Sequence, residues 1–424
     1  DACRHAVATV YTHLEENGIS VGLVFRLRQL RERVLRIREL LDCLMSTHPS
    51  ASAVRLLSRL VLVGQERASI RALITSNSSL LAAKVAERSA ETGEHYITRD
   101  WPQYRSMLRK AAGGGALTGG TTLLKFMIMG LGLSAFWGGF WAGAMYAASF
   151  VVIQLLHCTL ATKQPAMTAP AMAAKLKDIG TPEAVNAFVD EVAHLMRSQA
   201  AAVLGNVLVV FPVVLLLSVG IGLLLGHPML SAKDAAYTLH SLSLLGPTLL
   251  FAGFTGCLLF ASSIIAGWVE NWFVLRRLDS AMRYNPSVTG LLGVERAGRW
   301  AHFMRNNISG FASNISLGFM LGLIPPIMAF FSLPLEVRHV TLSAGQLAAA
   351  SVAYGVQTVF MPAFWWAVAA IPLIGALNLG VSFYLAYKLA LRAHNVSGVQ
   401  RAHIHQAIWA RWRHRPLNFF IPAG

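Results

Sequence analysis

The sequence predicts an all-α polytopic membrane protein: six transmembrane helices in three hairpins, preceded by a cytoplasmic, coiled-coil-like helical region. Three observations carry that reading. Apolar residues make up 55% of the 424 and charged residues only 13%, with a mean hydropathy of +0.52, so there are too few charges to coat a globule of this size. Crossing about 30 Å of hydrocarbon takes roughly 20 apolar residues, and six stretches qualify: 111–133, 136–158, 203–226, 244–268, 308–331 and 360–388. Finally, 33 of the 36 Lys and Arg residues fall in segments that share one side once six crossings are drawn.

Taken in order, residues 1–110 form a basic cytoplasmic helical region, 111–391 the transmembrane domain and 392–424 a basic cytoplasmic tail. The first region holds 17 Lys and Arg, the 159–202 loop 4, the 269–307 loop 6 and the tail from Lys388 onward 6. Only Lys233 and Arg338 lie opposite, and Lys125 is inside a span. Basic residues stay on the cytoplasmic side, which sets both termini inside and predicts the inner membrane. A short apolar stretch near 345–356 is too short to cross alone and reads as an interfacial or re-entrant helix; a seventh crossing would put the basic tail outside. The chain opens on Asp1 rather than Met, which reads as a fragment of something longer.

Within 22–45, Leu23, Leu27, Leu30, Val34, Ile37, Leu41 and Leu44 alternate steps of four and three, which is a coiled-coil seam. Arg26, Arg28, Arg31, Arg33, Arg36 and Arg38 take other faces, partly balanced by Glu32 and Glu39. Further helical runs near 51–74 and 76–91 are placed to pack against it. Its arginines suit solvent or anionic lipid; a DNA-contacting helix is the sharper alternative, and the reading favours lipid because topology requires basic juxtamembrane segments anyway. In the next cytoplasmic stretch, Thr181-Pro182-Glu183 signals a helix start. An amphipathic helix over 182–199 follows, with Val185, Phe188, Val189, Val192 and Leu195 on one face.

Two spans begin with matching text 108 residues apart. His194, Met196, Arg197, Asn206 and Phe211 align with His302, Met304, Arg305, Asn314 and Phe319. A fainter echo in the first span completes a parallel repeat of three hairpins. Gly139–Gly143, Gly222–Gly226 and Gly318–Gly322 have the spacing that lets helices approach closely, within the bundle or between copies. Pro212 and Pro325–Pro326 predict kinks.

Candidate sites are few. Lys125 lies in the first span, where an ammonium costs at least about 3 kcal/mol. It reads as a pathway residue facing Gln154 or His157, or as a lysine near a span end that snorkels. Glu270 beside Arg276 and Arg277 reads as an interfacial ion pair. His394, His403, His405 and His414 lie in a basic tail without carboxylate or cysteine partners, and Cys3, Cys43, Cys158 and Cys257 lack metal spacing. No metal or cofactor is expected.

The run Ala147–His157, continuing through Ala161–Pro170, together with Val337–Thr341, Val381–Phe383 and Leu391–Ala393, resembles a bacterial membrane family that goes by the name "site-specific recombinase", of the gonococcal recombinase type. The resemblance covers nearly the whole chain, with Lys163–Pro170 its most specific part. It implies DNA recombination through the family's name. The residues do not supply that chemistry: the His-x-x-Arg matches, His194/Arg197 and His302/Arg305, are the repeat element, and Tyr384 and Tyr387 lie in the last span. The reading therefore leans away from an enzyme and towards a scaffold or envelope role. A transporter or channel using a polar path near Lys125 and a membrane-tethered recombinase are the alternatives. Expected partners are the bilayer with its anionic lipids and a second copy or another membrane protein; nucleic-acid binding is expected to be weak.

Overall fold

A computed structural model describes residues 21–45, 49–68, 97–160, 172, 182–393 and 398–422. The helical run expected at 76–91 and the Lys163–Pro170 text lie outside those residues. Helices in chain order are α1 (Val21–Met45), α2 (Pro49–Ala68), α3 (Trp101–Gly130), α4 (Ala135–Leu155), α5 (Pro182–Leu225), α6 (Ala232–Ser241) and α7 (Thr248–Leu275). They continue with α8 (Leu278–Tyr284), α9 (Pro286–Leu292), α10 (Val294–Phe330), α11 (Val340–Tyr354), α12 (Pro362–Ala393) and α13 (Gly398–His414). Short 3-10 turns follow α11 (Gly355–Phe360) and α13 (Pro416–Phe419), and no strand occurs among the described residues.

Five helices are long and apolar enough to cross a membrane: α4, α5 over Val185–Leu225, α7, α10 and α12. The first expected span, in α3, is not among them, because its middle is Gly, Ala and Thr rather than Leu and Val. Pro212, Pro325, Pro326 and Pro372 all sit inside continuous helices. The amphipathic helix expected at 182–199 and the span expected at 203–226 form one 44-residue helix, α5.

The chain divides into two compact units. One combines Asp1–Val85 with Gly267–Ile308. There α1 and α2 lie side by side, with Leu35, Arg38, Glu39, Asp42, Cys43, Arg55 and Leu56 lining the cleft between them. The seam does not face that cleft: Leu30, Ile37, Leu41 and Leu44 are exposed. Between α7 and α10 the chain turns at Arg277, in the left-handed region at φ 49°. It then forms α8 and α9, the latter capped by Asn285, whose side chain accepts from the Ser287 N–H at 2.8 Å.

The other unit, Ala86–Ala266 with Ser309–Gly424, is a bundle built on close backbone approach. Helix α3 starts with a reciprocal cap: Asp100 Oδ1 accepts from Gln103 N at 2.8 Å, and Gln103 Oε1 accepts from Arg99 N at 2.9 Å. Its Gly, Ala and Thr residues then bury against α5. A Cβ added at Gly115 would stand 2.5 Å from the Asn206 carbonyl oxygen, and one at Gly205 2.7 Å from the Ala111 Cβ. Gly139 and Gly143 of α4 meet Gly318 and Gly322 of α10, so these small-residue pairs pack inside the bundle. Gly222 and Gly226 meet no other helix.

Helix α11 is the centre. Val340–Gly345 and Leu347–Ser351 are all buried, which is the burial of a core helix, not a surface one. It packs against α3, α5, α6 and α12, and Ala344, Leu347, Ala348, Ala349 and Ala350 join Val210, Val214, Leu239, Ala367 and Ile374 in the largest apolar cluster. The helix starts five residues earlier than the 345–356 stretch suggests, because Val340–Ala344 are held in the same interior.

Candidate functional site

The densest polar cluster surrounds the start of α11. The 331–339 connection reaches α11 without helix of its own, so its peptide groups need partners from elsewhere. The Arg338 N–H donates to Thr255 Oγ1 of α7 at 2.8 Å. Asn378 of α12, wholly buried, donates from Nδ2 to the Arg338 and Ala252 carbonyls, both at 2.9 Å. Its Oδ1 accepts from the Val340 N–H at 3.0 Å. His339, at the N-cap position, makes no side-chain cap of its own, so Asn378 caps α11 from a different helix.

Arg338 turns inward as well. Its guanidinium pairs with Glu336 at 2.7 Å and donates to the Ser241 carbonyl at 3.0 and 3.2 Å. That carbonyl ends α6, where the helix dipole favours a cation. The guanidinium also stands 5.4 Å from the Phe251 ring centroid. Tyr237 donates to Glu336 at 3.2 Å. At the next level Thr341 donates to Asn206 Oδ1 at 3.3 Å, and Asn206 Nδ2 donates to the Ala111 and Thr159 carbonyls at 2.6 and 2.9 Å. At the far end of α11, Tyr354 donates to the Ala232 carbonyl at 3.0 Å. The lone Asn in the apolar run 362–388 and the isolated Arg338 were the sequence signals for this cluster.

The three residues considered for an intramembrane polar site occupy different levels. Lys125 is half-buried, with its ammonium 5.7 Å from the Phe126 ring centroid and within electrostatic reach of Arg338 and Glu336. In the antiparallel α3–α4 pair, Thr121 and Ser149 share a short hydroxyl hydrogen bond and Thr159 N donates to the Lys110 carbonyl. That register sets Gln154 about 13 Å along the helices from Lys125. Gln154 Oε1 accepts from Asn314 Nδ2 at 2.6 Å. His157 is exposed, in the left-handed turn that ends α4, at φ 54°.

The repeat element divides similarly. Arg197 is buried and donates to the Asn418 carbonyl at 2.8 Å and the Arg99 carbonyl at 3.4 Å. It thereby ties the segment before α3 and the C-terminal 3-10 turn to α5. Arg411–Asp190 at 2.6 Å and buried Phe419, ringed by Trp412, complete that attachment. His194 lies 3.8 Å from Glu191. In the other unit, His302 is exposed and its Nε2 meets Asn306 Nδ2 at 3.0 Å, while Arg305 is half-buried. Replacing Arg197 with Gln should free residues 416–422: limited proteolysis should then trim the C-terminus several-fold faster, and an unchanged rate would show that Phe419 alone holds it.

Buried Tyr104 lies within electrostatic reach of Arg197, and sequence spacing gave no hint of the pairing. The Arg197 donors beside it serve backbone carbonyls, so the pair is committed to holding the fold. No group of three or more metal-ligating side chains occurs among the described residues.

Fold and site together define an all-helical protein with membrane-length apolar helices around an inserted polar-capped helix. In a comparison with protein-family models, the family described as "Site-specific recombinase" matches residues 1–422, and the chain belongs to that family. No protein of curated function and no solved structure matches it.

Proposed function

We propose that the chain crosses the inner membrane six times with both termini cytoplasmic, and that it acts as a rigid, non-enzymatic scaffold. The sixth crossing is α3. Its buried glycines are spent on α5 and its Thr121 and Thr122 on α4 and α11, which lowers its mean hydropathy, while Leu124, Met127 and Met129 point outward as lipid-facing residues do. Helix α12 supplies a ruler: exposed Trp365 and Trp366 at one end and exposed Tyr384 with Lys388 at the other. Trp365 and Tyr384 are about 28 Å apart along the axis, close to the hydrocarbon thickness and placed like aromatic belts. On this reading α11 is re-entrant, because α10 ends and α12 begins on the same outer side. The shared roles of Asn206 and Asn314, both donating to the closing end of the first hairpin, support the repeat.

The observation that carries the scaffold reading is the sheathing of α11. At its start Arg338, Thr255, Asn378, Thr341 and Asn206 are consumed in hydrogen bonds to one another and to the backbone, and the helices meet at backbone distance. Lys125, within electrostatic reach of Arg338 and Glu336, favours transport as the second reading. Hydrogen exchange on the full chain in nanodiscs separates the two. A scaffold should keep the amides of 340–351 protected for hours, whereas exchange within minutes, accelerated by a solute, would favour transport and defeat the scaffold. Reporter fusions after residues 180, 285 and 400 should score as cytoplasmic, and those after 228 and 332 as periplasmic. A periplasmic signal at 400 would defeat the six-crossing arrangement.

A further inference from the structure

We propose that α1 is a lipid-docking arm: its apolar seam inserts into a bilayer surface rich in anionic headgroups, and the arginines flanking the seam bind the phosphates. The seam has no cover among the described residues: Leu30 is 40% exposed, Ile37 58%, Leu41 50% and Leu44 83%. Helix α2 occupies a different face, at Leu35 and Asp42.

Charge decides what covers the seam. Arg26 and Arg33 flank one edge and Arg31 and Arg38 the other, all four exposed. In a parallel coiled coil with a second copy, Arg26 would face Arg31 and Arg33 would face Arg38; an antiparallel pair also sets arginine against arginine. Like charges at these positions oppose pairing. Residues 69–96 bring no complement, holding three basic and three acidic side chains. A headgroup layer supplies closely spaced phosphates and an apolar boundary at once, which suits a helix with a basic margin around an apolar stripe.

The same unit carries this chemistry a second time. Between α7 and the first turn of α10, Tyr284, Leu291 and Val294 are 68%, 84% and 70% exposed. Exposed Arg283 precedes them and exposed Arg296 and Arg299, in the first turns of α10, follow them; the Arg283 guanidinium lies 5.5 Å from the Tyr284 ring centroid. Because α7 and α10 are two of the apolar membrane-length helices, their connection lies where headgroups are.

The test uses the full chain with its native cysteines replaced, in nanodiscs of phosphatidylcholine alone or mixed with phosphatidylglycerol. Spin labels go on Ile37→Cys and, as a control on the solvent face, on Gln29→Cys. In anionic discs the Ile37 label should become oxygen-accessible and shielded from a nickel chelate, and in zwitterionic discs it should stay in water, while the Gln29 label stays in water in both. The double change Arg31→Gln and Arg38→Gln should lower the docked-to-free ratio about 25-fold, roughly fivefold per arginine. Shielding that is the same in both lipids would mean that another part of the chain covers the seam. Dipolar broadening between copies would mean a homotypic coil, and stronger shielding by duplex DNA than by anionic lipid would mean a nucleic-acid surface. Each of these three overturns the proposal. The inference rests on the membrane reading, whose own failure would appear in the reporter fusions and not in the label.

Discussion

Gly322→Leu should remove the protein from the folded pool. In the α4–α10 contact a Cβ at Gly322 would stand 2.5 Å from both the Gly139 carbonyl oxygen and the Gly143 Cα. These atoms are backbone and cannot rotate away, so the helices must separate. Their separation also strips Phe319 from Gly143, where a Cβ would already lie 3.1 Å from the Phe319 Cα. Overpacking typically costs about 1–3 kcal/mol where side chains can adjust. Against backbone the cost belongs at or above the top of that range, a large fraction of a total stability of about 5–15 kcal/mol. Gly120→Ala is the contrast. Nothing lies within 4 Å of its Cβ position, and alanine improves helix propensity by about 1 kcal/mol, so that variant should unfold no lower than the parent. Thermal unfolding of both in one detergent decides the matter. Equal midpoints for Gly322→Leu and the parent would mean that α4 and α10 do not interlock.

How much of this was legible beforehand depends on which physical rule writes each feature into the chain. Long apolar runs, and the clustering of Lys and Arg in the segments between them, are composition effects, so α4, α5, α7, α10 and α12 could be read directly. Helix α3 shows the limit of that rule in one direction, since a helix buried against protein needs small residues more than hydrophobic ones. Helix α11 shows the limit in the other. The segment 345–356 was too short to cross, but nothing in its periodicity says that it is wrapped on every side; that follows from what its neighbours present. The seam in α1 was visible as a period, whereas the exposure of its Leu30, Ile37, Leu41 and Leu44 was not, because period and burial are separate facts. Candidate residues divided the same way. Arg197 and Asn206 could be singled out by repetition, and the structure gives them backbone carbonyls to hold. Lys125, Gln154 and His157 could be grouped only by assuming that facing helices align them, and the α3–α4 register places Lys125 at another level.

Asn378→Leu should release α11 while leaving the crossing helices in place. The asparagine satisfies the irregular backbone on both sides of His339, accepting from Val340 N and donating to the Arg338 carbonyl. Leucine matches its size but none of its hydrogen bonds. It leaves three backbone groups without their asparagine partner, the Val340 N–H and the Arg338 and Ala252 carbonyls; at about 1–3 kcal/mol each for the two at the irregular turn, and less for Ala252 inside α7, the loss is on the order of 4 kcal/mol. Ser382→Ala, one helical turn further along α12, should do nothing: Ser382 is fully buried and its hydroxyl has no partner among the described residues. The readout is a cysteine at Ala348, a wholly buried position of α11, in a background with the native cysteines replaced. A membrane-permeant maleimide should label it only when α11 opens. Because every 1.4 kcal/mol is tenfold, Asn378→Leu should raise the labelling rate about a thousandfold, and Ser382→Ala should leave it unchanged. Asn378→Asp separates the contributions, since a carboxylate still accepts from Val340 N but can donate to neither carbonyl, and it should label faster than the parent. If Ala348→Cys labels at one rate in all three backgrounds, Asn378 does not hold α11, and the capping role passes to Arg338 and Thr255.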